Sequence, residues 1–233
     1  MKLAVITGAS AGIGCSAAAL FSARGYRVVN LSRRPCPVPE VINLSCDLSN
    51  PALVESVCDE VQSLQAEAEV TCLIHNACLM RKDSATQCDS AQLREVLEIN
   101  LVGTNSINQR LIAGMQRGSS VIYIGSTLSE KAVANSFSYV ISKHAVIGMM
   151  RATCQDLQST GIHTACVCPG FTDTEMLRNH LGNDAALLQQ IGGANAFERL
   201  VTPDEIAKMI AWVHDSPVVN GSVLHGNLGQ LEN

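Results

Sequence analysis

Tyr139 and Lys143 stand four residues apart in a stretch whose apolar residues, Phe137, Val140, Ile141, Ala145, Val146, Met149 and Met150, recur at helical spacing. The phenol and the ammonium therefore project from one helix face. A free tyrosine titrates at about pH 10. A neighbouring cation favours its phenolate and brings the group toward a range in which it can give and take a proton. Ser126 closes an apolar run just upstream, at the carboxyl edge of an expected strand, and offers a hydroxyl to the same chemistry. Asn100 lies inside Glu98-Ile99-Asn100-Leu101, where an amide among apolar residues requires a buried partner. It either joins a water-linked relay to Lys143 or braces the fold. A Tyr and a Lys at this spacing are also ordinary on a helix surface, so the pair alone does not make a site.

A second cluster is built for phosphate. The first apolar run enters Thr7-Gly8-Ala9-Ser10-Ala11-Gly12-Ile13-Gly14 and then a helical pattern. Gly8, Gly12 and Gly14 permit a tight turn. The backbone of Gly8, Ser10, Gly12, Ile13 and Gly14 can then approach a pyrophosphate at the positive end of the helix. No Gly-Lys-Ser/Thr follows, so this is not a nucleoside-triphosphate loop of the Walker type. At the end of the second expected strand stands Ser32-Arg33-Arg34, where an acidic residue would hold a ribose 2′-hydroxyl. An uncharged Ser followed by Arg suits a 2′-phosphate instead, and so NADP(H) over NAD(H); the alternative is a solvated basic pair. Asp47 and the adjoining Leu48, after the third strand, are placed to reach the adenine, or Asp47 merely caps the next helix.

These residues need a scaffold that alternates strands and helices, and the sequence supplies one. Strands are expected over Leu3–Thr7, Arg27–Leu31, Val41–Leu44, Val70–His75, Ser120–Gly125, His163–Cys168 and Ser222–His225. Several are continuous apolar runs, as in sheets covered by helices on both faces. Helices are expected over Ile13–Arg24, Pro51–Gln65, Ser90–Gln116, Ser136–Ser159 and Pro203–His214, with Ser49 capping the second and a Thr202/Glu205 capping box starting the last. This pattern is an α/β fold, a single doubly wound Rossmann domain of about seven parallel strands. Pro35, Pro37 and Pro39 oppose a helix between the second and third strands, so an extended strap is expected there. The segment 171–200, broken by Gly182, Gly192 and Gly193, suits a mobile substrate lid at a carboxyl strand edge.

Composition narrows the function classes. Of 233 residues, 47% are hydrophobic and 16% charged, which excludes disorder. A net charge of −5 and 3% aromatic residues leave neither a basic footprint nor stacking platforms for nucleic acid. No run approaches a membrane span. The ten cysteines contain no C-x-x-C pair and are taken as small apolar fillers kept reduced in a cytoplasmic protein, Cys166 and Cys168 pointing the same way off one strand. No metal site is expected.

Taken in order, the motifs resemble those of the short-chain dehydrogenase/reductase family over essentially the whole chain. Thr7–Gly14 is similar to its T-G-x-x-x-G-I-G loop, and His75-Asn76-Ala77-Cys78 to its N-N-A-G. Asn100, Ser126, Tyr139 and Lys143 match its catalytic tetrad, and Pro169-Gly170-Phe171-Thr172-Asp173-Thr174 its P-G segment. The resemblance implies an NADP(H)-dependent oxidoreductase that interconverts a carbonyl and a secondary alcohol. Tyr139 would be the general acid/base, Ser126 would bind the carbonyl oxygen, Lys143 would hold the nicotinamide ribose, and Asn100 would position a water. Asn76, Ala77, Pro169, Gly170, Phe171 and Thr174 would complete the cofactor contacts, and the protein would be a homodimer or homotetramer. Cys78 in place of the final Gly, His75 in place of the first Asn, and the proline strap in place of a customary helix depart from the pattern. They motivate the alternative of an NADP(H)-binding regulatory or sensor protein with little turnover. The substrate pocket is expected to draw on Leu128, Ser129, Val133 and residues 174–196, and to suit a mostly apolar carbonyl compound.

Overall fold

The computed structural model describes residues 1–230. Seven strands, β1 (Lys2–Thr7), β2 (Arg27–Ser32), β3 (Ile42–Ser45), β4 (Val70–His75), β5 (Ser120–Ile124), β6 (His163–Pro169) and β7 (Ser222–Gly226), form one sheet in the order β3-β2-β1-β4-β5-β6-β7. Every neighbouring pair is parallel, with Val5 opposite both Val29 and Leu73. The strand sequences explain this. Runs such as Leu3-Ala4-Val5-Ile6 and Val121-Ile122-Tyr123 are buried throughout, so apolar side chains must be covered on both faces. On one face Leu3, Val5, Val29, Leu73 and Val121 pack under α2 (Pro51–Gln65), α4 (Gly103–Leu111) and α5 (Phe137–Asp156). On the other, Ala4, Ile6, Val28, Ile74 and Val167 pack under α1 (Gly12–Ala23) and α8 (Pro203–Asp215).

The chain order reverses between β1 and β4, and the carboxyl ends of these two strands open the crevice in which doubly wound sheets bind ligands. The crossover from β2 to β3 contains no helix. Asn30, buried in β2, ties that strap down: its Nδ2 donates to Arg34 O and to Asn43 Oδ1, while its Oδ1 accepts from Ala9 N–H in the glycine loop.

Two expectations are corrected. Asn50, not Ser49, caps α2, accepting from Leu53 N–H; Ser49 is instead held by Asp47 Oδ1 through its N–H and its hydroxyl. The single helix expected over Ser90–Gln116 is interrupted. It runs as α3 (Ser90–Leu97), a π-helical turn over Glu98–Val102, and α4, ending in a 3-10 turn at Ile112–Gly114. The wider turn carries Asn100, a placement common where a helix re-aims a functional side chain. Directly after it Gly103 lets the helix meet β3's exit loop, because a Cβ there would lie 2.5 Å from Leu48 O. Within 171–200 the helices are α6 (Glu175–His180) and α7 (Ala185–Gly192), separated at Gly182, which sits at φ +65°. The Thr202/Glu205 capping box is formed in both directions.

Candidate active site

The glycine loop lies over the carboxyl end of β1. Gly8 and Gly12 take φ of +72° and +55°, a left-handed conformation that a side chain resists. Gly14 is required by close approach: a Cβ there would stand 2.4 Å from Gly8 O and 2.6 Å from Asn76 Nδ2. Thr7 Oγ1 accepts from the N–H groups of Asn76 (2.9 Å) and Ala77 (3.0 Å), while Asn76 Nδ2 donates to Thr7 O (3.0 Å) and Gly8 O (3.1 Å). The ends of β1 and β4 are thereby locked together. Helix α1 starts at Gly12 with no side chain accepting from its first-turn N–H groups and no acidic residue in that turn. Such a set of open backbone donors at a helix N-terminus fits the anionic diphosphate of a dinucleotide. Ser10 and Ile13 belong to the same loop, and Thr174 packs beside it, its Cγ2 3.1 Å from where a Gly12 Cβ would be.

On the adenosine side, Ser32 Oγ donates to Arg34 O at 2.5 Å, Arg33 is exposed, and Arg34 pairs with Glu175 of α6 at 3.1 Å. The Ser49 hydroxyl and N–H, and then Arg33, hold the Asp47 carboxyl below the ordinary range against its partial burial. Leu48 is buried beneath Gly103. Pro169 ends β6, Gly170 N–H donates to Gly226 O (3.0 Å), Phe171 O accepts from Val201 N–H (2.9 Å), and Thr174 caps α6 by accepting from Leu177 N–H.

Tyr139 and Lys143, in the first two turns of α5, are buried, at 8% and 3% exposure. Lys143 Nζ sits 5.5 Å from the Tyr139 ring centre and donates to Ile124 O at 2.7 Å. Ser126, just beyond β5, lies near the Tyr139 phenol and favours its ionised form. Burial pushes the Tyr139 phenol up to about 12, outweighing the pull of Lys143 and Ser126. Desolvation acts on the phenolate more strongly than the single cation of Lys143 relieves it. Cys78, Cys166 and Cys168 also face the pair. The last two point the same way off β6, with sulfurs 3.8 Å apart, and all ten cysteines are free.

The Asn100 side chain is fully engaged, accepting from Leu79 N–H (2.7 Å) and donating to Leu79 O (3.0 Å) and Ser142 Oγ (2.9 Å). Leu128 and Ser129 are buried, whereas Val133 is exposed. The cavity beside Ser126, of about 290 Å³, is lined by Thr127, Glu130, Lys131, His225 and Asn227. Strand β7 brings His225 to Glu130 there, 2.8 Å away, and the cavity lies apart from the residues expected to form the substrate pocket. Two residues of this region escape sequence reading, Asn30 and Asp83. A polar Asn inside the run Val28-Val29-Asn30-Leu31 is the one signal that could have found the first. Among the described residues no group of His, Cys, Asp and Glu could hold a metal ion, and no helix is long and apolar enough to cross a membrane.

A family model described as enoyl-(acyl carrier protein) reductase matches residues 8–230. The 3-oxoacyl-[acyl-carrier-protein] reductase MabA of Mycobacterium tuberculosis is 28% identical over 228 residues, covering 94% of this chain and 89% of its own. The reductase FabG of Escherichia coli is 26% identical over 242 residues, covering 98% and 96%. Among solved structures, ligand-free aldohexose dehydrogenase from Thermoplasma acidophilum superposes with a TM-score of 0.90 at 25% identity, over 98% of this chain and 93% of that one. A short-chain dehydrogenase from Burkholderia cenocepacia in complex with NADP superposes at 0.87 and 24% identity, over 98% and 97%. With its parallel seven-stranded sheet and a family match along nearly its whole length, the chain belongs to the short-chain dehydrogenase/reductase family and is an oxidoreductase.

Proposed function

We propose that the protein is an NADP(H)-dependent reductase/dehydrogenase that interconverts a carbonyl and a secondary alcohol. The observation that carries the reading is the convergence of Tyr139, Lys143 and Ser126 at the carboxyl edge of the sheet, beside a glycine loop with open anion donors. When bound, the cofactor supplies or takes up the hydride. Gly8, Ser10, Gly12, Ile13 and Gly14 hold its diphosphate, Asp47 and Leu48 flank the adenine, and Ser32 and Arg33 receive the 2′-phosphate. Asn76, Ala77, Pro169, Gly170, Phe171 and Thr174 border the nicotinamide side. Ser126 donates to the substrate oxygen and orients it. Tyr139, protonated through the neutral range, gives its phenolic proton to that oxygen in reduction and takes it back in oxidation. Lys143 holds the ribose, and its charge, pinned by Ile124 O, stabilises the phenolate left behind. Asn100 fixes the loop at Leu79 and the helix at Ser142.

The likeness to relatives named as 3-oxoacyl-[acyl-carrier-protein] reductases supports 3-oxoacyl thioesters as the first substrate class to test. The likeness to aldohexose dehydrogenase of Thermoplasma acidophilum supports aldoses as a second class to test. Exposed Val102, Ile141 and Trp212 support a homodimer or homotetramer, which light scattering reads. The deciding experiment compares the parent and Tyr139→Phe by NADPH absorbance on a panel of 3-oxoacyl thioesters, ketones and aldoses. The parent is expected to turn over one class and the variant to lose about a hundredfold or more in kcat, the scale of a missing general acid. Full activity in Tyr139→Phe refutes the assignment. NADPH binding without turnover of any class favours a nucleotide sensor.

A further inference from the structure

Helix α5, which carries Tyr139 and Lys143, begins after Ser136, whose side chain caps nothing. The acceptor comes from Asp83, 55 residues upstream of Ser138. Asp83 Oδ1 accepts from Ser138 N–H at 3.0 Å, and Oδ2 accepts from the Ser138 hydroxyl. The main chain of Asp83 is bound to the same turn: its carbonyl accepts from Phe137 N–H at 3.3 Å, and its N–H donates to Asn135 O at 3.2 Å. Four hydrogen bonds from one residue thus hold the turn that immediately precedes Tyr139. Asp83 is 6% exposed and Ser138 is fully buried, so these bonds are largely shielded from solvent. Burial works against the Asp83 charge. Bonds from the Ser138 hydroxyl and N–H lead the influences that outweigh it and keep the group a carboxylate. The negative charge also faces the positive end of α5, where it is favoured.

Asp83 ends a short path that begins in the cofactor loop. Asn76 grips Gly8 O, Leu79 exchanges two hydrogen bonds with the Asn100 side chain, and Asp83 closes on α5. We propose that Asp83 is a positioning residue: by anchoring the first turn of α5 it sets where Tyr139 and Lys143 stand relative to Ser126 and the glycine loop. The inference rests on the proposed reaction for its kinetic consequence, but the anchor itself is a property of the fold. Reacting groups tolerate little displacement, an error of about 1 Å costing about a hundredfold in rate.

The test uses the full chain as parent, Asp83→Ala, Asp83→Asn and Ser138→Ala. Amide hydrogen exchange over 137–143 reads the anchor without turnover, and the NADPH dissociation constant, from fluorescence titration, reports whether the glycine loop is left intact. The kcat per NADPH-binding site, on whichever carbonyl the parent reduces, reads its consequence. Asp83→Ala is expected to speed exchange in 137–143 selectively, leave the dissociation constant within about twofold, and lower kcat by about tenfold or more. Asp83→Asn keeps an oxygen for the Ser138 N–H and should recover kcat to within about threefold of the parent. Unchanged exchange and kcat in Asp83→Ala, or an Asp83→Asn as impaired as Asp83→Ala, overturns the proposal. If Asp83→Ala does not fold, Ser138→Ala takes its place, with kcat expected to fall several-fold at unchanged NADPH affinity; a parental kcat there overturns it. A parent without turnover on any carbonyl overturns the functional reading and the kinetic role with it, while exchange still reports whether the anchor exists.

Discussion

Two buried histidines make the stability of this fold depend on mild acid. His75, at the end of β4, is 5% exposed, and His214, in α8, is 6% exposed. His75 Nε2 meets Asn108 Oδ1 at 2.7 Å, and its Nδ1 has no hydrogen-bond partner among the described residues. His214 is wedged between the Tyr26 hydroxyl (2.9 Å) and the Ser120 hydroxyl (2.7 Å), with the His163 ring stacked beside it. Burial pushes both imidazoles down from 6.5 to about 4. Because the folded value lies below the unfolded one, the unfolded chain binds more protons between these limits. The neutral rings' contribution is complete above pH 6.5 and is lost as the pH falls toward 4. Each imidazole is worth about 3 kcal/mol over the full window, and the pair about 4 kcal/mol between pH 7 and 5. That is a large share of the roughly 5–15 kcal/mol by which a domain is stable. Urea unfolding at half-unit steps from pH 5 to 8 measures it. Near pH 5 the slope should exceed about 2 kcal/mol per pH unit, and His75→Gln and His214→Gln should each remove about half of it. A slope under about 1 kcal/mol per pH unit, or one that survives in the double variant, refutes the argument.

The proposed cofactor site yields two more expectations. Gly14→Ala places a methyl 2.4 Å from Gly8 O and 2.6 Å from Asn76 Nδ2, both held by neighbouring strands, so it should lower stability by about 1–3 kcal/mol and abolish NADPH binding. Thermal melting and fluorescence titration check both, and parental affinity for NADPH would contradict the close approach. Arg33→Asp should weaken NADPH binding by about tenfold to a hundredfold while leaving NADH binding little changed. Isothermal titration with each nucleotide decides, and equal affinities before and after the change would remove Arg33 from the 2′-phosphate.

Local patterns carried much of the architecture. Continuous apolar runs such as Leu3-Ala4-Val5-Ile6, the glycine loop before α1, the prolines of the helix-less strap and the Thr202/Glu205 box are decided by neighbours within a few residues, through side-chain period, φ restriction and capping. For the same reason Tyr139 and Lys143 could be placed on one helix face from spacing alone. What the tertiary structure decided depends on partners far along the chain. The break at Glu98–Val102 serves an Asn100 whose amide meets Leu79, 21 residues away, and no local propensity announces a π-helical turn. Asn30 reaches the glycine loop and the strap together only because β2 lies beside β1. Asp83 reaches α5 across 55 residues, and nothing in its own neighbourhood marks it as that helix's cap. The high value at Tyr139 and the low values at His75 and His214 arise from desolvation, which measures how much of the rest of the molecule stands between a group and water. Residue types and intervals thus pointed to a candidate chemistry and specified its scaffold, while contacts closed over long loops and the exclusion of water set the geometry and charge of the candidate site.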